Sequence, residues 1–107
     1  MKVLPLVISW DGIELDENDK KRDSREIVKT VIENIILVWA RDNKGLDEKD
    51  RRKYYKIIDQ IETAIENKAN EVEVDEEKFG FLRKCFREAR LMPNKILQRI
   101  EESIFTE

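Results

Sequence analysis

The chain has 107 residues, of which 42% are charged and 40% are hydrophobic, and its formal net charge is −3. This length corresponds to one domain, and the charge density requires the apolar residues to be concentrated on stripes of amphipathic helices. The 21 basic residues are interleaved with 24 acidic ones, which argues against the basic excess typical of nucleic-acid-binding proteins.

The residue types of common catalytic and metal sites are scarce. The sequence has no histidine, one cysteine and three scattered glycines. This composition excludes His-dependent nucleophilic catalysis, a thiolate zinc site and a Gly-rich phosphate loop. We therefore expect a protein that is not an enzyme, with no cofactor and no metal site.

No apolar run reaches the roughly 18 residues that cross a bilayer. The N-terminal apolar run is short and is followed at once by Asp11 and Gly12, unlike a signal peptide. The single cysteine permits no internal disulfide. We expect no membrane association and a cytoplasmic location.

Residues 1–16 are predicted to form a small β-hairpin. Pro5 restricts the first apolar run to an edge strand or a strand start. Asp11-Gly12 then separates two strand-like runs, and Asp-Gly favours hairpin turns because both turn positions need positive φ. We expect residues 6–10 to pair with residues 13–16. The polar residues 17–22 are predicted to be an exposed connection.

The apolar run IVKTVIENIILVW predicts a central helix over residues 24–42. Its last turn is apolar on every side, so we expect the other elements to cover it all round. Asp23 and Glu26 have the spacing of a capping box, and Ser24 is an equally good alternative cap. Gly45 is a plausible left-handed residue after the helix end.

Three further helices are predicted at residues 48–67, 76–90 and 94–105. Asp47 caps the first, Asp75 caps the second, and Pro93 suits the start of the third. Gly80, inside the second, costs about 1 kcal/mol relative to Ala. Close packing of another element at that position would explain this glycine.

Between these helices, residues 71–74 alternate between Val and Glu, which suggests a short strand that could join the hairpin. The predicted fold is therefore mainly α (α+β minor). It is a compact four-helix single domain, residues 1–107, with a small N-terminal β-hairpin and a third short strand as an option.

Aromatic residues offer a candidate partner interface. Trp39 lies at the end of the last turn of the central helix, which is apolar on every side. There it can anchor either a core or an interface. We take Trp39, Val38 and Trp10 as the candidate interface, with core packing as the alternative for Trp39.

The acidic residues and the cysteine have simpler interpretations. Asp16, Glu17 and Asp19 lack the glycine and terminal glutamate of a calcium loop, so they are expected to be solvated. Glu33 is expected to face outward, next to a lysine one turn earlier. Cys85 lies among apolar residues and is predicted to be a buried or half-buried thiol that is unreactive.

A basic face provides the main functional alternative. The densest cluster of positive charge consists of Lys49, Arg51, Arg52, Lys53 and Lys56. Tyr54 and Tyr55 lie within it, and basic residues interleaved with aromatics can hold a nucleic-acid backbone. Glu48, Asp50 and Asp59 dilute this charge, which favours a solvated outer face.

From residue 24 to residue 104 the layout resembles a loose group of small, uncharacterised helical proteins of tailed phages and prophages. The resemblance is carried by the helix LDEKDRRKYYKIIDQI, the helix entry VEVDEEKFGFL and the final helix ILQRIEESI, after an N-terminal segment with a DG turn. It implies a phage- or prophage-encoded accessory protein that contacts other phage proteins. It carries no functional motif, and so no active-site residue.

Two functions are therefore expected from the sequence. The first is a non-enzymatic protein–protein interaction module, with a phage assembly or accessory role and with a protein partner or self-association. The alternative is a nucleic-acid-binding regulator that uses the basic face of residues 49–56.

Overall fold

The structure is a computed structural model that describes residues 1–105. Within this range the elements are β1 (Lys2–Pro5), α1 (Glu17–Lys20), α2 (Ser24–Asp42), α3 (Glu48–Glu66), β2 (Glu71–Val74), α4 (Glu76–Glu88) and α5 (Lys95–Ile104). The mainly α fold with a small two-stranded antiparallel sheet confirms the predicted fold class. The predicted domain extends to residues 106 and 107, which lie outside the described residues.

The four predicted helices correspond to α2, α3, α4 and α5. Helix α2 has the predicted bounds, α3 and α4 end slightly earlier, and α5 is one residue shorter at each end. The additional helix α1 is a single turn where the sequence predicts an exposed connection. Its N-cap is Asp16, whose carboxylate accepts a hydrogen bond from the Asp19 backbone N–H at 2.8 Å.

Aspartate caps set the starts of the long helices. The carboxylates of Asp23, Asp47 and Asp75 each accept a backbone N–H from the first turn, at 2.8–2.9 Å. These bonds satisfy donors that have no partner inside a helix. After α2, Gly45 has φ +99°, and its N–H donates to the Ala40 carbonyl at 2.6 Å.

The sheet joins two distant parts of the chain. β1 pairs antiparallel with β2, with Lys2 opposite Val74. Beyond β1, the Leu6 N–H donates to the Asn70 carbonyl at 2.9 Å and continues the same alignment. The strand predicted at residues 71–74 is therefore present, and it pairs with the N-terminal segment.

Residues 6–10 do not form a ladder with residues 13–16, contrary to the prediction. The Asp-Gly turn itself is present, since the Ile13 N–H donates to the Trp10 carbonyl at 3.0 Å. Gly12 has φ +80°. The turn is therefore formed without the two strands that it was predicted to connect.

The backbone groups needed for that ladder bond elsewhere. The Ile8 N–H donates to the hydroxyl oxygen of Ser24 at 3.0 Å, and the same hydroxyl donates to the Leu6 carbonyl at 3.0 Å. Ser24, the alternative cap in the sequence, instead fastens the N-terminal segment to α2. The Arg99 guanidinium donates to the carbonyls of Ser9 and Asp11, which fixes the Asp-Gly turn against α5.

The sheet and the long helices share one hydrophobic core. Helix α2 packs against both α3 and α4, and its Ile32 and Ile36 are fully buried. The fully buried aliphatic residues around it are Leu4, Leu6, Ile57, Ile61, Leu82 and Ile100. Burial of each such side chain contributes about 1.5–3 kcal/mol, so the core organises the fold around α2.

One side of α2 is not covered. Leu37 is 49% exposed, and Val38 is only half-buried. The expectation that the last turn of this helix is covered all round is therefore wrong. The reason is that Ile35, Ile36 and Trp39 lie on the side of α2 that joins the core, whereas Leu37 lies on the opposite side of the helix.

Candidate functional site

Trp39, the first candidate interface residue, lies in the core and is 6% exposed. Its ring meets the Phe81 ring edge to face, with 5.9 Å between centroids. Its indole Nε1 donates to the Glu88 carboxylate at 3.0 Å, and the Lys84 ammonium lies 4.7 Å from the ring centroid. This placement matches the core alternative, and each part of the indole is satisfied within the chain.

Val38 is half-buried on the outer side of α2. We call Val31, Leu37 and Val38 the α2 face, in which Leu37 lies about 100° round the helix from Val38. Val31 and Val38 are seven positions apart and lie on one stripe of the helix. Val31 also lines a groove of about 560 Å³ together with Ile13 and Ile96, so the α2 face continues into a concavity.

Trp10, the third candidate interface residue, is half-buried and packs against the core. Its carbonyl closes the Asp-Gly turn. The structure therefore places Val38 on one stripe of α2 with Val31, but it does not place Trp39 on that stripe. Leu37 was missed in the sequence because an apolar residue in the middle of a long apolar run looks like part of the core.

The basic residues of α3 face acidic residues. Lys53 Nζ lies 3.7 Å from Asp50 Oδ1 and 3.5 Å from Glu77 Oε1. Lys49 Nζ lies 3.7 Å from the same Glu77 oxygen, and Arg52 pairs with Glu48. The exposed pairs of Lys49 and Arg52 contribute about 0.2–1 kcal/mol each, and all of these pairs reduce the positive potential of the face.

The other predicted basic residues lie on the same helix. The Arg51 guanidinium donates to the Leu46 carbonyl at 3.2 Å, which ties it to the start of α3. Lys56 is exposed and lines a cleft with Lys49 and Lys53.

That cleft lies between the N-terminal parts of α3 and α4 and has a volume of about 550 Å³. We call it the α3–α4 cleft, and it is lined by Asp47, Glu48, Lys49, Arg52, Lys53, Lys56, Asp75, Glu77 and Lys78. Glu77 and Lys78 were missed in the sequence, because contacts between two helices leave no local pattern. Five of the nine lining side chains are basic, so the cleft has a small positive excess.

The titrating groups near the helix starts have shifted pKa values. The backbone hydrogen bond from Arg25, aided by its guanidinium, lowers the pKa of Asp23. The hydrogen bond from the Lys78 ammonium lowers the pKa of Asp75, helped by the backbone N–H of the same residue. Both carboxylates are therefore held in the charged form that caps a helix.

The remaining reactive groups take structural positions. Cys85 is fully buried, as predicted, and burial raises its pKa to about 12. Glu33 is partly exposed, and its carboxylate lies 3.6 Å from the Lys29 ammonium. Lys29 also pairs with Glu62 at 3.1 Å, and this hydrogen bond raises the lysine pKa. Among residues 1–105, no group of three or more Cys, Asp or Glu side chains is arranged to hold a metal ion.

Comparison of the chain with protein-family models, curated proteins and solved structures finds no match. None of the helices in the described part of the chain is long and apolar enough to cross a membrane. Function is therefore inferred from the α2 face and the α3–α4 cleft.

Proposed function

We propose that the chain is a non-enzymatic protein–protein interaction module. The observation that carries this proposal is the 49% exposure of Leu37 in the middle of the central helix. Val31 and Val38 lie on a neighbouring stripe of the same helix, and Val31 lines a groove. Exposed apolar surface of this kind is a common property of protein interaction sites.

The resemblance to small phage and prophage proteins supports an accessory or assembly role among phage proteins in the host cytoplasm. Such a role requires contact with other proteins, or with further copies of the chain, and needs no catalytic group. The α2 face is the surface that we assign to this contact.

The test uses the full chain and its Leu37→Ser variant in size-exclusion chromatography with light scattering. Each is examined alone and with the proteins encoded by neighbouring genes. Tyr55→Ser is the matched control, because Tyr55 is also a large exposed residue, 58% exposed on α3. We expect an association that Leu37→Ser abolishes and Tyr55→Ser preserves. A chain that stays monomeric and binds none of these proteins contradicts the proposal.

Nucleic-acid binding is the second candidate function, and it is favoured by one observation. Lys49, Lys53 and Lys56 of the predicted basic face line one cleft with Lys78 of α4. Binding of single-stranded or duplex DNA that weakens steeply with added salt would support it. If neither nucleic acid retains the chain at low salt, the nucleic-acid-binding function is contradicted.

A further inference from the structure

We propose that the α3–α4 cleft binds an acidic, extended segment of a protein partner. In this complex, carboxylates of the partner take the place that the Glu77 carboxylate holds between Lys49 and Lys53. The inference rests on the proposed function, that the chain acts by contacting another protein, and it assigns the chemistry of that partner.

The lysines of the cleft have the spacing of an extended acidic segment. Lys49, Lys53 and Lys56 are spaced by four and three residues, so they form one stripe along α3, about 10 Å long. Alternate side chains of an extended segment are about 7 Å apart on one face. Two or three acidic side chains of such a segment therefore match this stripe. Lys78 of α4 lines the same cleft, where its ammonium pairs with Asp75.

The cleft already holds a carboxylate of the chain itself. Glu77 Oε1 lies 3.7 Å from Lys49 Nζ and 3.5 Å from Lys53 Nζ. The Glu77 side chain is 63% exposed, so water competes for both contacts and a partner carboxylate can replace it at little cost. Glu77 therefore marks where an incoming acidic group binds.

The other acidic residues of the cleft are held by contacts within the chain. Asp47 and Asp75 accept backbone N–H groups at the helix starts, each at 2.8 Å, so their charges face the positive ends of the two helices. Glu48 pairs with Arg52. These acids lower the positive charge of the cleft, which favours a short acidic segment over a long nucleic-acid backbone.

The test is a titration of the full chain at low salt with hexaglutamate blocked at both ends. Binding is monitored by the chemical shifts of the backbone amides in NMR spectra. We expect the largest shifts in the first two turns of α3 and α4. Glu77→Gln removes the competing carboxylate and should tighten binding about threefold, whereas the double variant Lys49→Gln/Lys56→Gln should weaken it about tenfold. Lys21→Gln, an exposed lysine outside the cleft, is the matched control for charge and should change binding less than twofold.

Three outcomes overturn this proposal. The first is no shift in α3 or α4, and the second is binding that the cleft variants and Lys21→Gln change equally. The third is that a six-nucleotide oligothymidylate shifts the same amide signals and binds more tightly than hexaglutamate, which assigns the cleft to nucleic acid. Leu37-dependent association without hexaglutamate binding overturns only the assignment of the cleft. Hexaglutamate binding by a chain that associates with no protein overturns the proposed function.

Discussion

Arg25 and Ala69 are joined by a hydrogen bond across 44 positions of sequence: Arg25 Nε donates to the Ala69 carbonyl at 2.6 Å. The same guanidinium donates to the Lys68 carbonyl and to Asn70 Oδ1, both at 3.0 Å. It also pairs with the cap residue Asp23 at 2.9 Å. One planar group thus connects the start of α2 to the turn before β2, where Lys68 has φ +54°.

Replacement of Arg25 by lysine should therefore destabilise the fold. Lysine keeps the charge but cannot donate in several fixed directions at once, so at least two of these carbonyl and amide contacts are lost. We expect the free energy of unfolding to fall by about 2 kcal/mol, measured by urea denaturation. Arg41→Lys, at a side chain 70% exposed, is the control and should change it by less than about 0.5 kcal/mol. Equal effects of the two substitutions would contradict the role of the guanidinium.

The capping aspartates should make the fold sensitive to acid. The folded-state pKa values of Asp23 and Asp75 lie below their ordinary value of 3.8. A lowered pKa stabilises the fold fully above the unfolded value, and this contribution is lost as pH falls from near 3.8 through the folded-state pKa. The free energy of unfolding should therefore decrease in this acidic range.

Asparagine variants separate this charge effect from capping itself. Asn caps helices about as well as Asp, so Asp23→Asn and Asp75→Asn should keep the fold while losing part of the pH dependence. Urea denaturation at neutral pH and across the acidic range measures this slope. If the variant with both substitutions has a free energy of unfolding that falls with pH as steeply as that of the parent chain, other carboxylates cause the acid sensitivity.

Gly80→Ala should stabilise the protein. A Cβ at Gly80 would have no atom within 4 Å outside its own helix, so the close packing that would explain a glycine there is absent in the described structure. Alanine lowers the conformational entropy of the unfolded chain, and we expect a gain of about 0.5–1 kcal/mol and a Tm higher by a few degrees. The control is Gly45→Ala at φ +99°, which should lower Tm. A decrease in Tm for Gly80→Ala would indicate that this glycine has a different role.

Local signals explain why much of the fold could be predicted. Helix α2 has the predicted bounds because its apolar spacing, its cap at Asp23 and its stop at Gly45 all lie within one stretch of sequence. The same reasoning located the strand Glu71–Val74, whose alternating pattern is local.

The wrong predictions depend on competition between distant groups. Asp11-Gly12 favours a hairpin, but Ser24 and Asn70 take the backbone groups of residues 6–8 that the ladder would need. The exposure of Leu37 likewise depends on which sides of α2 the other helices occupy. The α3–α4 cleft could not be predicted, because no local spacing in the sequence encodes the pairing of Glu77 with the α3 lysines.

The buried thiol of Cys85 provides a direct measure of opening of the core. Burial raises its pKa to about 12 from an ordinary 9.0, so near pH 8 the native chain has about a thousandth of the thiolate of an unfolded chain. Iodoacetamide should therefore alkylate the native chain at least about 100-fold more slowly than the chain in concentrated urea, as followed by mass spectrometry. Arg25→Lys lies far from Cys85 in sequence but lowers stability, so it should accelerate this labelling, whereas Gly80→Ala should slow it. Native labelling as fast as in urea would mean that the thiol is accessible and that α4 does not pack against α2 as described.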